Sequence, residues 1–533
     1  MQTPGAPPHP ATRSPGHYSS TVPAYLDAAR SVIASRRAAR RVTTPERLRP
    51  LDFAPFEAAL AALSSTDADR VSALVDGADI ASLARALDSR SLTARDLLLH
   101  HLARVRAHDD RLRSIIELNP HALDEARESD ERRAAGASRG RLDGIPLTVK
   151  DNIATAGPLH TTAGTFSLAE HVADGDAAVV AAVREAGAVL LGTNNLSELA
   201  GAVSTTPGVS AVGGQSANPY GPDFSPGGSS SGTAVAVAAG LAVVGIGTET
   251  SGSLLAPASF NGVVGMKPTH GFVPGTGIVP LVSTQDDAGP VARTVADAAD
   301  LLEAMTGGAV RVESGEPGGL PGSRVGVLRA EVVRQRSALE DTTDNAALLD
   351  RAAAALEAVG ATCVEVEVAD ARTTSSVEKE LLAVVLGGLS HETMAAVAAA
   401  GGPASVAELQ RLGLADPERR IPRGQTLVSL AAVRRTTAEA HAAAAAALVE
   451  RSRQLLDEAF ERVGADVLLS LSNVHSPFYA SAGHPAVTVP LGLRSSGMPV
   501  GATLIGRRGA DAHVLRWAGA LEAATHARVS PRL

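Results

Sequence analysis

Lysine is nearly missing from this 533-residue chain: of 48 basic residues only Lys150, Lys267 and Lys379 are lysine. Drift toward arginine would leave a few lysines by chance. A surviving lysine is still a candidate for chemistry, because an ammonium can lose its proton when desolvated and a guanidinium cannot. Lys150 follows the apolar run Gly144-Ile145-Pro146-Leu147-Thr148-Val149, so burial is expected to depress its pKa. Cysteine occurs once, at Cys363, which excludes an intramolecular disulfide and any zinc site needing two cysteines. A reducing, cytoplasmic setting is expected, with no metal. Aromatic residues make up only 2%, so the core must be built from Ala, Val and Leu. Stacking platforms for single-stranded nucleic acid are scarce, and a net charge of −9 supplies no basic field for a polyanion. No nucleic-acid partner is expected. Long apolar runs are also lacking. The longest uncharged stretch, Ala234 to Ile246, is interrupted by Gly240 and Gly245 and is too short to span a bilayer. The Pro-rich start, Met1 to His17, has no apolar segment of the secretory kind. No membrane association is expected.

What is present falls into distinct textures. Residues 1–24 read as a disordered Pro-rich tail, and 25–77 as a helical N-terminal extension. Arg36, Arg37, Arg40, Arg41, Arg47 and Arg49 lie on a stretch read as helical; a solvated face explains them better than a docking patch. Helical periodicity covers Phe56 to Leu74, Ile80 to Leu83 and Ser91 to His108, where Leu97, Leu98, Leu99, Leu102 and Val105 share one face. From about Leu142, short β-like runs alternate with Ala-rich helices: helix Ala177–Ala186, strand Ala188–Leu191, helix Thr233–Ala239, strand Leu241–Ile246. Further strands are expected at Val325–Leu328, Cys363–Val366, Val467–Leu469, Ala486–Val489 and Ala502–Ile505, with a helix over Asn345–Val359. Residues 370–463 read as mostly helical. The alternation from about Leu142 predicts a layered α/β domain.

Two glycine/serine loops carry the chemistry: Pro226-Gly227-Gly228-Ser229-Ser230-Ser231-Gly232 and Gly247-Thr248-Glu249-Thr250-Ser251-Gly252-Ser253. Glycines let backbone N–H groups approach a ligand, clustered N–H groups make an oxyanion hole, and a serine is a nucleophile once a base is at hand. Lys150 is a candidate base. Gly228 to Gly232 also matches the nucleophile elbow G-x-S-x-G, but three prolines over Asn218–Pro226 give it a loop rather than the strand that elbow requires. A phosphate loop lacks its G-K-[ST]. Either loop alone would also fit a plain surface turn.

Together these pieces resemble the amidase signature family, the Ser–cisSer–Lys hydrolases. The likeness runs in order through Ile116-Glu117-Leu118-Asn119, Gly144 to Asp151, Leu191-Gly192-Thr193-Asn194-Asn195-Leu196-Ser197-Glu198 and Gly214 to Tyr220. It continues through the two loops, Gly262 to Thr269, Gln285 to Pro290, Ala482 to Pro490 and Met498 to Gly501. It implies an α/β fold with a mixed central β-sheet flanked by helices. It also implies Ser253 as nucleophile, Ser229 in a cis peptide as proton relay, and Lys150 as base. Backbone N–H groups of Thr250, Ser251, Gly252 and Ser253 would form the oxyanion hole. Lys267, Asp151 and Asp286 would be structural, and no cofactor is needed.

The chain departs from the family's wording in places. Many members read Ser-Ile-Arg after the nucleophile; here Ser253-Leu254-Leu255 stands, which weakens recognition of a small carboxylate. Ser251 replaces a common glycine. The wording around Glu249–Ser253, Ser229–Ser231 and Gln285-Asp286 is most similar to the peptide-amidase branch. The expected activity is hydrolysis of a small-molecule or peptide-like amide through a seryl acyl-enzyme. The alternatives are a subunit of a glutamine-dependent amidotransferase, an amide-forming acyltransferase, or a non-catalytic scaffold, which intact Lys150, Ser229 and Ser253 disfavour. The N-terminal extension would cover the sheet or build a homodimer surface, and 370–463 would shape the acyl pocket. Leu381–Leu389 and Met394–Ala400 fit core packing better than pocket walls.

Overall fold

A computed structural model describes residues 46–310, 322–335, 337 and 339–533. The Pro-rich tail and most of the arginine-rich stretch lie outside the described residues. Thirteen strands are present among those described: β1 (Ile115–Leu118), β2 (Pro146–Lys150), β3 (Val189–Asn194), β4 (Val209–Ser210), β5 (Gly214–Gln215), β6 (Val244–Glu249), β7 (Val264–Lys267), β8 (Asp287–Ala292), β9 (Arg324–Val327), β10 (Thr362–Glu365), β11 (Val467–Leu471), β12 (Ala486–Leu493) and β13 (Pro499–Ile505). Eleven form one sheet in the order β1-β3-β2-β6-β8-β7-β12-β13-β11-β9-β10, and β4 and β5 make a separate ribbon. The sheet is mixed. β2 runs parallel to β3 and β6, β9 is parallel to β10 and β11, and the centre from β6 through β8, β7, β12 and β13 is antiparallel.

Helices cover both faces, and strand alternation splits the buried side chains between them. Val467, Leu469 and Leu471 enter one apolar cluster with Leu147, Val149, Val244 and Ile246. Leu468 and Ile505 enter the other, with Leu254, Leu255 and much of the 370–463 segment. The helix Ala94–Leu112 packs in the first cluster. Thr93 Oγ1 caps it by accepting the Asp96 N–H at 2.9 Å, and Leu97, Leu98, Leu99, Leu102 and Val105 are all buried. Trp517, the chain's one tryptophan, is fully buried in the same cluster.

The mixed sheet flanked by helices agrees with the expected fold class. The expected strand over Leu241–Ile246 starts later, at Val244, because Gly240 at φ +66° turns the chain first. The periodicity over Phe56–Leu74 is divided into Ala54–Phe56, Glu57–Ala61 and Ser65–Val75. Ser64 interrupts it and caps the last of these helices by accepting the Asp67 N–H. Arg47, grouped above with a solvated helical face, is neither helical nor solvated. Its guanidinium pairs with the buried Asp109 carboxylate, and Nε donates to the Ile115 carbonyl at 3.0 Å.

Among the described residues, one helical run, Ala371–Ala399, is long and apolar enough by length and composition to cross a membrane. A search for uncharged stretches passes over it, because Arg372, Glu378, Lys379 and Glu380 interrupt its first half. In this fold Val377, Val384, Leu386, Leu389, Met394 and Val397 are buried in the second cluster, so it packs as a core helix.

Candidate active site

Lys150 is the last residue of β2, and the parallel register with β6 (Val149 opposite Ile246) sets its side chain beside Thr248. The side chain is fully buried. Nζ lies 2.7 Å from Ser229 Oγ, 2.8 Å from Thr248 Oγ1 and 3.1 Å from the Thr248 carbonyl. A neutral amine has two N–H donors and one lone pair. It can donate to both Thr248 oxygens and accept from the Ser229 hydroxyl. An ammonium can instead donate to all three oxygens, so the cradle satisfies either protonation state. No carboxylate touches Nζ. Burial lowers the Lys150 pKa to about 7, against the more distant charges of Asp286 and Glu249, which favour the ammonium. Asn152 Nδ2 donates to Thr248 Oγ1 at 3.1 Å and steadies that acceptor.

The first serine loop approaches from above this pair. Ser229 follows a cis Gly228–Ser229 peptide bond and is buried. Its carbonyl accepts the Ser197 N–H at 3.0 Å. A Cβ on Gly228 would stand 2.4 Å from Ser197 Oγ, so only glycine permits this approach. Ser230 joins the two loops. Its N–H donates to the Ser253 carbonyl at 3.1 Å, and its hydroxyl bridges the Thr248 backbone, donating to the carbonyl at 2.9 Å and accepting the N–H at 3.1 Å.

The second loop is held by carboxylates whose oxygens face inward. Glu249 Oε2 accepts the N–H groups of Leu254 at 2.7 Å and Leu255 at 3.1 Å. Burial raises its pKa despite these bonds. Thr250 Oγ1 donates to Asp286 Oδ1 at 2.5 Å, while Asp286 Oδ2 accepts from the N–H groups of Leu281 and Val282. Burial brings the Asp286 pKa up to about 7. Gln285 Nε2 donates to the Thr250 carbonyl at 3.1 Å. At Gly252, φ is +80°, and a Cβ would stand 2.6 Å from Asn473 Nδ2 and 3.0 Å from Ser476 Oγ. No acceptor among the described residues takes the N–H of Thr250, Ser251 or Ser253. Ser253 is half-buried and its hydroxyl has no hydrogen bond among the described residues, whereas Lys150 and Ser229 are sealed behind it. The site therefore grades from a dry amine to a solvent-reachable hydroxyl.

The structure thus places Lys150 against Ser229 and ties the Ser229 loop to the Thr250–Ser253 loop through the Ser230 N–H and the Ser253 carbonyl. Asp151 takes the hydroxyl of Thr162 and the N–H of Gly164, and Lys267 bonds the Pro268 carbonyl at 2.8 Å. The sequence reading missed the rest of the Lys267 setting, an ion pair with Asp287 Oδ2 at 2.7 Å. It also missed Thr248, Asn152 and Glu249 as supports, although all three stand inside or beside the quoted motifs. Asn473 and Ser476 carried no local signal at all. Leu255, where many family members carry arginine, is buried in the apolar core.

Residues 96–515 match the Amidase family. A probable amidase of Arabidopsis thaliana is 33% identical over 484 residues, covering 86% of this chain and 92% of that protein. A glutamyl-tRNA(Gln) amidotransferase component of a Synechococcus strain is 33% identical over 464 residues, covering 80% and 93%. The native peptide amidase of Stenotrophomonas maltophilia superposes with a TM-score of 0.75 at 36% identity, covering 85% of this chain and 98% of that one. The chain belongs to the amidase signature family, whose enzymes are hydrolases of C–N bonds in small amides.

Proposed function

We propose that this enzyme hydrolyses a carboxylic amide through an acyl-enzyme on Ser253, with Ser229 as proton relay and Lys150 as general base. The observation that carries the reading is the buried Lys150 Nζ, 2.7 Å from Ser229 Oγ and free of any carboxylate contact. Neutral Lys150 takes the Ser229 proton as Ser229 takes that of Ser253, and Ser253 Oγ bonds to the amide carbon. The oxyanion forms against the open N–H groups of Thr250, Ser251 and Ser253, whereas the Gly252 N–H is held by the Glu249 carboxylate. The proton returns through Ser229 to the departing nitrogen as the C–N bond breaks. Water then attacks the ester by the same relay, releasing the carboxylate and restoring Ser253.

A peptide-like amide is the favoured substrate class. The likeness to a peptide amidase over most of the chain supports it, and so does the Leu255 side chain in place of an arginine that would hold a small carboxylate. In this reading the 370–463 helices shape the acyl pocket. A panel of peptide C-terminal amides, aryl amides, short aliphatic amides and glutamine, run with wild type and Ser253→Ala, tests both points. Turnover of peptide amides that is lost in the variant is the expected result. Turnover that survives Ser253→Ala would overturn the nucleophile.

A second reading, glutaminase in an amidotransferase assembly, is favoured by the likeness to the glutamyl-tRNA(Gln) amidotransferase components. Glutamine hydrolysis exceeding that of every peptide amide would select it. Formation of hydroxamate when hydroxylamine is added would reveal transfer to an amine acceptor.

A further inference from the structure

The helix Ser231–Ala238 begins at the serine loops, and its other end, Ala238 to Gly240, borders a cavity of about 280 Å³. Three arginines, Arg104, Arg293 and Arg528, and two histidines, His100 and His101, line it, with Asp76 the one acidic side chain among the described lining residues. The arginine hydrogen bonds go to carbonyl or hydroxyl oxygens. Arg104 takes the carbonyls of Gly240 at 3.0 Å and Ala239 at 2.8 Å, and Arg293 that of Ala78 at 2.7 Å. Arg528 bonds Ser530 Oγ at 3.0 Å and the Ala238 carbonyl at 3.5 Å. None forms an ion pair among the described residues. Against three fixed guanidinium charges stand roughly half a negative charge from the helix C-terminus and the carboxylates of Asp76, Asp297 and Glu522, none of them in contact with a guanidinium among the described residues. Burial of such charge is costly without a counter-ion. Burial and the neighbouring arginines both weaken the hold of Arg293 on its proton, with Asp297 and Asp76 only partly opposing them. Two polar atoms are also left over: Arg528 Nε and His101 Nε2 are buried with no hydrogen-bond partner.

His101 makes the cavity chemically selective. The side chain is 1% exposed, and burial, with His100 and Arg293 adding to it, keeps the ring neutral by lowering its pKa well below the usual range. Nδ1 lies 3.1 Å from the Gly240 carbonyl, an oxygen that can only accept, so Nδ1 carries the proton. Nε2 is then a lone pair seeking a donor. The occupant must offer anionic oxygens to guanidinium groups and an O–H to His101.

We infer that this cavity is a binding site for a phosphoryl group, free or carried on a small molecule, at the opposite end of the Ser231–Ala238 helix from the serine loops. Inorganic phosphate keeps a P–OH at neutral pH and supplies both kinds of atom, a phosphate monoester draws its O–H from its monoanion or from a hydroxyl of its carrier, and sulfate supplies oxygens alone.

Calorimetric titration of the full chain with inorganic phosphate, sulfate and glycerol 3-phosphate tests this. Phosphate is expected to bind, with sulfate weaker by about ten-fold, the worth of one buried hydrogen bond. Tighter binding of glycerol 3-phosphate than of phosphate identifies a phosphorylated metabolite as the source; the reverse order identifies the free ion. Arg528→Gln and Arg293→Gln should each weaken phosphate by about ten-fold or more. Retained fluorophosphonate labelling of Ser253 would show that they are folded. No heat from phosphate or its ester at about 10 mM, or sulfate binding as well as phosphate, overturns the assignment without reference to any variant.

Discussion

Two strand ends in this enzyme each carry a fully buried lysine, and their surroundings differ in one respect. Lys150 at the end of β2 meets two hydroxyls and a carbonyl. Lys267 at the end of β7 meets a carbonyl and the Asp287 carboxylate, 2.7 Å away. Burial carries a desolvation penalty for a charged group. At Lys150 nothing in contact offsets that penalty, and the pKa falls to about 7. At Lys267 a carboxylate is in contact. Burial alone would push the Asp287 carboxyl up, but Lys267 and His270 outweigh it and hold its pKa below the ordinary range. The lesson is that burial alone does not make a base. Burial without a contacting carboxylate favours the neutral amine that a base requires.

The sharpest way to break the comparison is to exchange arginine for each lysine. Lys150→Arg should lower kcat/KM about 10⁴-fold, as should Lys150→Met and Ser253→Ala, since removing one member of a coupled catalytic set costs nearly as much as removing all. Lys267→Arg keeps its charge and should cost only about 1–3 kcal/mol of stability from overpacking. Equal activity losses at the two sites would remove the distinction.

Stability supplies the next test. Lys267→Met leaves Asp287 buried without its cation and should destabilise by about 3–5 kcal/mol. Adding Asp287→Asn should recover part of that loss in chemical denaturation. Lys150→Met should instead raise stability at neutral pH, and the sign follows from linkage. The folded pKa of about 7 lies below the ordinary 10.5, so between those values the unfolded chain binds more protons. The Lys150 penalty is therefore full at and below pH 7 and fades as pH rises toward 10.5. The stability gap between Lys150→Met and wild type should narrow over that window.

Smaller effects concern the base itself. The kcat/KM should fall about ten-fold per unit below pH 7 and level off above it, because only neutral Lys150 accepts the Ser229 proton. A flat profile from about pH 5 to 9, with chemistry limiting, would remove Lys150 from the role. Thr248→Val deletes one acceptor of Nζ. It should reduce kcat by about ten-fold or less, the worth of one hydrogen bond, and move the acid limb to lower pH because the ammonium loses a partner.

Much of the site was legible in the chain itself. The scarcity of lysine singled out Lys150, and the two glycine/serine loops with their ordered flanking motifs pointed to Ser229 and Ser253. The α/β alternation gave most later strands to within a residue or two. β2, β7 and β8 were harder. They are buried on both faces, so they lack the polar alternation that marks a half-exposed strand, and Gly265, Gly289 and Pro290 argue locally against β structure. The arginine-lined cavity was invisible for another reason. Arg104, Arg293 and Arg528 are separated by hundreds of residues and look like any arginines in a chain that has replaced nearly all its lysines.

The periodic elements, the glycine positions that let the serine loops close on one another, and the rarity of the residue type able to serve as a base are all written locally in the chain. Only the tertiary structure decided which lysine stays paired. Both follow apolar runs, Leu147-Thr148-Val149 and Val263-Val264-Gly265-Met266, so their local chains are alike. Asp286 and Asp287 stand side by side where β8 begins, one bonded to Thr250 and the other to Lys267. Successive side chains along an extended chain point to opposite faces, so a one-residue slip would exchange those contacts. Which lysine meets a carboxylate 2.7 Å away in space depends on that register, which no local stretch of sequence contains.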